Sequence, residues 1–197
     1  MKAKLFLNLL LIILIMNSCT TKTPEKMTPN TPDWKSKFDN ELPYLGHRNW
    51  ILVVDKAFPM QSSAGMEVIN TNENLIPVLT YVLSQIKTSS HVRPIIYTDQ
   101  ELNYIHDDFA TGADTYRTTL QNTLAGAEIK NLLHENVFTK LDESSKLFKV
   151  VVLKTECTIP YSSVFMQLDC AYWSSDKELL LRKAMSQDLK NKPIVNP

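Results

Sequence analysis

Apolar residues along the chain follow two spacings, one typical of buried strands and the other of amphipathic helices. Residues 50–54, Trp-Ile-Leu-Val-Val, form a continuous apolar run rich in β-branched side chains. Such a run predicts a strand that is buried on both faces. Further strands are predicted at residues 66–69, 94–97, 127–133, 147–153 and 163–172.

Helices are predicted where apolar residues recur three or four positions apart. Asp33 stands where it can cap the first helix, over residues 34–42. Thr98 and Glu101 have the spacing of a capping box, which predicts a helix that continues through Ile105. Other helices are predicted at residues 75–86, 114–125, 134–141 and 175–190.

Strands and helices alternate along the chain, and the strands are of the buried type. This order favours the α/β class, with a mostly parallel open sheet covered by helices on both faces. Ligands of such sheets bind at the carboxyl ends of the strands. Polar residues just after strands are therefore candidate site residues, and these are Asp55, Glu156 and Tyr161.

The first nineteen residues have the pattern of a bacterial export signal. Lys2 and Lys4 precede an apolar run over residues 5–16, which is shorter than the roughly 20 residues that a membrane-spanning helix needs. Because Cys19 follows directly, the segment resembles a lipoprotein signal peptide, which implies cleavage before Cys19 and lipidation of that residue. The alternative is an ordinary signal peptide followed by an unrelated cysteine.

These features divide the chain into three parts. Residues 1–18 are the predicted signal peptide, and residues 19–32 are a lipidated tether rich in proline and threonine. Residues 33–197 form a single domain that ends in a helical extension over residues 175–190. The expected location is the bacterial cell envelope, in the periplasm or at the outer membrane, with attachment through Cys19.

Composition excludes several classes of function. The chain has 21 basic and 21 acidic residues, and this balance argues against a nucleic-acid partner. Its four glycines fit neither of the common phosphate-binding fingerprints. The three cysteines form no C-x-x-C pair, so no metal site is expected. Cys157 and Cys170 are expected to be free, buried thiols.

Three separated motifs carry the candidate chemistry. In the first, Leu-Gly-His at residues 45–47 is followed by Asp55, eight positions after His47, and by Ala-Phe-Pro at residues 57–59. An intervening strand at about 3.3 Å per residue separates His47 from Asp55 by roughly 17–20 Å, so the two cannot bond to each other within one chain. Taken alone, His47 also fits the residue that follows a helix stop at Gly46.

The second and third motifs follow in the later half of the chain. The second consists of Glu-Ile-Lys at residues 128–130, then His134-Glu135 and Phe138. The third consists of Thr-Glu-Cys at residues 155–157 and Pro-Tyr-Ser-Ser at residues 160–163. Together the three motifs resemble the RbsD/FucU family of D-ribose pyranases and L-fucose mutarotases, over about residues 38–172.

The resemblance implies a fold and an activity. It implies an RbsD-like three-layer α/β/α domain that assembles into a homo-oligomeric ring, typically a decamer, with sites between neighbouring subunits. The implied reaction is mutarotation of a free monosaccharide, ribose- or fucose-like, by general acid–base catalysis. It needs no metal and no organic cofactor.

The resemblance also implies roles for individual residues. His47 matches the proton donor of the family, and Asp55 matches a carboxylate that binds the sugar. His134 and Tyr161 match substrate-contacting positions. Ser163 stands at a substrate-binding position where the family has asparagine.

Three substitutions depart from the family pattern. Ser162 and Ser163 replace Ala/Gly-Asn, and Lys56 stands where the family has a small alanine directly after the aspartate. A lysine there can fill the pocket, or pair with Asp55 or another acid, so it is a possible pocket modifier. These departures motivate the alternative hypothesis, a non-catalytic sugar-binding or structural lipoprotein that retains the fold.

Overall fold

The computed structural model describes residues 33–191. The predicted signal peptide, the tether and Cys19 lie outside these residues. The strands are β1 (Trp50–Val54), β2 (Met66–Asn70), β3 (Val92–Asp99), β4 (Ile129–Leu132), β5 (Val150–Lys154) and β6 (Val164–Cys170). The helices are α1 (Trp34–Glu41), α2 (Leu75–Thr88), α3 (Ala113–Thr123), α4 (His134–Ser144) and α5 (Ser175–Asn191), with short 3-10 helices at Leu42–Tyr44 and Gln100–Tyr104.

A six-stranded sheet in the order β2-β5-β1-β6-β3-β4 forms the centre of the fold. β5 runs parallel to both β1 and β2, and β3 runs parallel to β4. β6 lies between β1 and β3 and is antiparallel to both. The sheet is therefore mixed but mostly parallel, which confirms the predicted α/β class.

The continuous apolar run of β1 explains why both faces of the sheet are covered. Successive side chains of a strand point to opposite faces. Ile51 and Val53 pack in one buried cluster with side chains of α1, α2 and α3. Trp50, Leu52 and Val54 pack in a second cluster with side chains of α4. Burial of each such side chain contributes about 1.5–3 kcal/mol, so helices are held on both faces.

The first helix begins as predicted. The Asp33 side chain accepts a hydrogen bond of 2.7 Å from the backbone N–H of Ser36, which satisfies one free donor at the start of α1. Both cysteines of the described residues are free, as expected. Cys157 is buried, whereas Cys170 is only half-buried, so the expectation that both are buried is wrong for Cys170.

The capping box predicted at Thr98 is wrong. β3 continues through Asp99, and only a short 3-10 helix follows it. The Thr98 hydroxyl donates to the side chain of Asn131, and the Glu101 carboxylate accepts from the backbone N–H of His134. Both side chains make tertiary contacts, and Glu101 caps a helix more than thirty residues further along the chain.

The C-terminal helix α5 occupies the predicted extension and does not cover the sheet. Leu179 and Leu180 are each 69% exposed. Within residues 33–191, no helix has the length and apolar character required to cross a membrane.

Gly65 is required by a close approach of two backbone segments. A Cβ atom at this position would lie 2.5 Å from the carbonyl oxygen of Phe148 and closer still to that of Ser145. We expect Gly65→Ala to destabilise the fold by about 2 kcal/mol, because overpacking forces the backbone to move. Urea denaturation measures this change.

Gly46→Ala is the matched control, because the nearest atom to a Cβ there is the Asn49 side-chain oxygen at 4.0 Å. Equal unfolding midpoints for the two variants would show that the region around Gly65 relaxes without strain.

Candidate functional site

The antiparallel direction of β6 determines which residues meet at the carboxyl ends of β1 and β3. Val164, the first residue of β6, pairs with Val53 of β1 and with Thr98 of β3. The residues just before β6 therefore lie beside the residues that follow β1 and end β3. This edge of the sheet brings together Asp55, Asp99, Tyr161 and Ser163.

Asp55 and Ser163 are joined by two hydrogen bonds. The Ser163 hydroxyl donates to Asp55 Oδ2 at 2.8 Å and accepts from the Asp55 backbone N–H at 3.2 Å. The second carboxylate oxygen accepts from the backbone N–H of Ala57 at 2.8 Å. Ser163 is buried, whereas Asp55 is half-buried. Because a carboxylate has about four acceptor sites, Asp55 is held in place and still able to accept from a ligand.

Tyr161 has a backbone conformation that a side chain rarely adopts. Its φ is 58°, in the left-handed region that favours glycine. Such strained residues occur preferentially at functional sites. The ring of Tyr161 meets the ring of His134 edge to face, with centroids 5.3 Å apart. The strained backbone thus places a phenol beside the imidazole.

His134 is the first residue of α4, and both its backbone and its ring are held by acids. The backbone N–H donates to Glu101 at 3.1 Å, and ring atom Nδ1 lies 3.0 Å from Asp99 Oδ2. Because an ionised carboxylate only accepts, Nδ1 carries the hydrogen and Nε2 is the acceptor of the neutral ring. Nε2 has no hydrogen-bond partner in the described part of the chain.

Asp99 is a site residue that sequence patterns do not identify. Its side chain is fully buried, and burial raises its pKa from the ordinary value of 3.8 to about 6. The sequence feature that could have identified Asp99 is an acidic residue at the end of a strand, the same feature that identified Asp55. The predicted strand ended two residues too early, so Asp99 fell inside the expected helix cap.

His47 lies at the opposite end of β1 and is hydrogen-bonded to an aspartate. Its Nδ1 is 3.0 Å from Oδ1 of Asp169, and Arg93 Nη2 is 2.5 Å from Oδ2 of the same carboxylate. Burial alone would raise the pKa of Asp169, but the backbone N–H of Cys170 together with Arg93 and His47 holds that pKa below its usual range. Asp169 thus remains ionised and orients the imidazole.

A cavity of about 750 Å³ opens beside His47. Trp173 and Glu178 line it, and the indole N–H of Trp173 donates to the Glu178 carboxylate at 2.8 Å. The side chain of His47 is 57% exposed. A large ligand, or a surface of another subunit, therefore has access to this imidazole.

The structure brings together four of the five predicted sugar-site residues and separates the fifth. Asp55, His134, Tyr161 and Ser163 share one edge. His47 precedes β1 and Asp55 follows it, so a strand length of roughly 20 Å separates them at about 3.3 Å per residue. His47 and Asp55 of one chain are therefore too far apart to bond to each other, as the spacing in the sequence leads us to expect.

Lys56 points to an acid other than Asp55. Its Nζ lies 2.5 Å from Oε1 of Glu156, and both side chains are partly exposed. The lysine therefore follows Asp55 directly in the chain without pairing with it. Among the residues that the structure describes, no group of three or more His, Cys, Asp or Glu side chains is arranged to hold a metal ion.

Comparisons with known proteins find structural matches alone. No family model and no curated protein sequence matches the chain. The structure of Bacillus subtilis RbsD complexed with D-ribose is 20% identical, with 68% of this chain and 92% of that chain covered at a TM-score of 0.47.

Two further solved structures are similar at comparable levels. FucU from Bifidobacterium longum is 16% identical, with 68% of this chain and 93% of that chain covered at a TM-score of 0.47. The fucose mutarotase of Streptococcus pneumoniae in complex with L-fucose is 20% identical, with 76% of this chain and 97% of that chain covered at a TM-score of 0.46. RbsD and FucU are the two names of the family that the sequence motifs resemble.

The Lys56–Glu156 pair has a testable energetic consequence. Partly exposed ion pairs contribute about 0–1 kcal/mol. We expect Lys56→Ala to change the free energy of unfolding by less than about 1 kcal/mol in urea denaturation. A larger loss would mean that Lys56 has a structural role beyond this pair.

The raised pKa of Asp99 makes stability depend on pH. Because the folded-state pKa of about 6 lies above the ordinary value of 3.8, wild-type stability falls as the pH rises between these values. Asp99→Asn removes the buried charge, so the variant gains up to about 3 kcal/mol over wild type at neutral pH and little at pH 4. Urea denaturation at the two pH values measures this.

Asp114→Asn is the control, because the pKa of Asp114 is lowered where that of Asp99 is raised, and its effect on stability therefore has the opposite dependence on pH. The hydrogen bond from His106 comes first among the causes that lower the pKa of the exposed Asp114. Its replacement is expected to cost stability at neutral pH and less in acid. A loss of stability in Asp99→Asn at neutral pH would contradict the assignment of a costly buried charge.

Proposed function

We propose that the chain is a mutarotase or pyranase of the RbsD/FucU type, which interconverts the anomers or ring forms of a free ribose- or fucose-like sugar. The observation that carries this proposal is the convergence of Asp55, Ser163, Tyr161 and His134 at one sheet edge. These residues come from all three sequence motifs: Asp55 from the first, His134 from the second, and Tyr161 and Ser163 from the third. Their chemistry fits a hydroxyl-rich ligand.

Each of these side chains offers a contact that a monosaccharide uses. Asp55 has acceptor sites for sugar hydroxyls. Tyr161 has a phenol that both donates and accepts, and His134 presents Nε2. The aromatic faces of Tyr161 and Phe138, which lie beside the His134 ring, provide an apolar wall.

The reaction requires two proton transfers. Opening of the ring places a proton on the ring oxygen and removes one from the anomeric hydroxyl, and closure reverses both steps. His47 is a fitting proton donor, because Nδ1 is bonded to Asp169, whose pKa is held low, and the His47 side chain is 57% exposed. An imidazole titrates near neutral pH, and general acid–base catalysis contributes about 10²–10⁴-fold to a rate.

Two subunits are needed to complete such a site. Since His47 and Asp55 lie at opposite ends of β1, we place His47 of one subunit against the Asp55 half-site of its neighbour. The exposed imidazole and the open cavity beside it support this arrangement. A closed ring, a decamer by the family resemblance, repeats the contact around an axis. Attachment to the cell envelope through Cys19 belongs to the same proposal.

One observation favours the alternative of a non-catalytic sugar-binding lipoprotein. Ser162 and Ser163 are both buried. The hydroxyl of Ser163 is occupied by Asp55, so the amide donor that the family resemblance expects is missing. The loss of one hydrogen bond to the sugar fits a protein that binds a sugar and does not convert it.

Saturation-exchange NMR on ribose, fucose and a panel of monosaccharides tests the activity. We expect exchange between anomers above the uncatalysed rate for at least one sugar. His47→Ala is expected to lower that rate at least about 100-fold, because it removes the proton donor. Light scattering is expected to show the same oligomer as wild type.

His106→Ala is the matched control, since His106 is an exposed histidine that also pairs with an aspartate. Its rate is expected to equal that of wild type. Absence of exchange for every sugar would refute the mutarotase, and calorimetric sugar binding without exchange would establish the alternative.

A further inference from the structure

Asp99 has a carboxyl group in an arrangement that folding alone does not require. Its side chain is 0% exposed. Oδ2 is bonded to the His134 ring, whereas Oδ1 is buried and has no hydrogen-bond partner in the described residues. A buried polar atom without a partner lowers stability. Asp99 therefore has the properties of a residue that is kept for chemistry at a cost to the fold.

A small cavity borders Asp99. Its volume is about 130 Å³, and its polar lining comes from strands β3 and β4, the 3-10 helix and α3. A cavity of this size has room for several water molecules, since each needs about 30 Å³, although apolar side chains such as Leu102 and Leu120 also line it. The side chains that line it beside Asp99 include Thr98, Asn103, Arg117, Gln121 and Asn131.

Three titratable groups influence the charge of Asp99. His134 of α4 favours the ionised carboxylate, whereas Glu101 of the 3-10 helix and Asp55 after β1 disfavour it. Arg117 of α3 lies across the small cavity. Burial is the largest influence and raises the pKa of Asp99 to about 6. Asp99 therefore takes up a proton at a higher pH than an exposed aspartate does.

We propose that Asp99 is a positioning residue that holds the Nδ1–H tautomer of His134, so that Nε2 of His134 is the base that accepts the proton of the anomeric hydroxyl. This inference rests on the proposed sugar mutarotase activity. It supplies the second proton-transfer group that the reaction needs, besides His47.

The proposed step balances as follows. Nε2 of His134 takes the proton from the hydroxyl on C1, the C1–O bond to the ring oxygen breaks, and the C1 carbonyl forms. His47 of the neighbouring subunit gives its proton to the ring oxygen. Asp99 stabilises the imidazolium of His134 by its negative charge, as a buried acid does for the histidine of a catalytic triad. Ring closure on the other face of the carbonyl returns both protons.

The pair must hold a single proton, on Nδ1, for Nε2 to act as a base. Burial raises the pKa of Asp99 to about 6, so below about that pH Asp99 takes up a proton and the rate is expected to fall. In a plot of kcat against pH, the wild type is therefore expected to lose activity on the acid side near pH 6. This acid limb of the profile reports the Asp99–His134 pair. Without the carboxylate, His134 holds its second proton less tightly, so this limb moves to lower pH.

The test compares the wild-type oligomer with Asp99→Asn on the best sugar of the NMR panel. We expect kcat of the variant to fall roughly 100-fold, with KM changed less than about threefold, because the base is weakened but the sugar contacts remain. We also expect the acid limb to shift downward. The ¹⁵N chemical shifts of the His134 ring report the tautomer independently of activity, as Nδ1–H in wild type and as a mixture in the variant.

Asp114→Asn is the matched control, because it removes an aspartate from His106 while Arg117 keeps its bond to the Ile105 carbonyl. Its kcat and acid limb are expected to match those of wild type. If Asp99→Asn has the kcat of the wild type and an unshifted acid limb, the inference is overturned, while the proposed mutarotase activity is unaffected. An Nε2–H tautomer in wild type would also overturn it. If the wild-type protein is inactive on every sugar, the proposed function is refuted, and with it the role of Asp99 and His134 in catalysis.

Discussion

The antiparallel strand β6 between β1 and β3 is the constraint on which both groups of candidate site residues depend. Its start places Tyr161 and Ser163 at the carboxyl ends of its neighbours, and its end places Asp169 beside His47. A parallel strand in this position would exchange the two ends. The direction of one strand thus decides which side chains can meet a ligand.

The site is built at some cost to the fold. Tyr161 holds a left-handed backbone conformation, and Asp99 buries a carboxyl group with one unpartnered oxygen. The two-sided apolar core around β1 offsets these costs, because its side chains are almost fully buried on both faces. Local violations of folding rules are expected at functional sites, and here they lie next to His134.

Much of the fold follows from local patterns. The apolar run of residues 50–54 predicts a doubly covered strand, and Asp33 predicts the start of α1, because both signals depend on neighbouring residues alone. Glu101 shows where such patterns fail. Its spacing from Thr98 is that of a capping box, yet its carboxylate caps α4 across the sheet edge. No local rule weighs that distant contact against the nearby one.

For the site, the sequence by itself determined the side chains available for acid–base chemistry and the strand length that separates His47 from Asp55. Only the tertiary structure decided their surroundings: Asp169 for His47, Ser163 for Asp55 and Asp99 for His134. The physical reason is that hydrogen-bond partners and burial depend on strand order and direction. These are properties of the whole sheet, and no single segment of the chain encodes them.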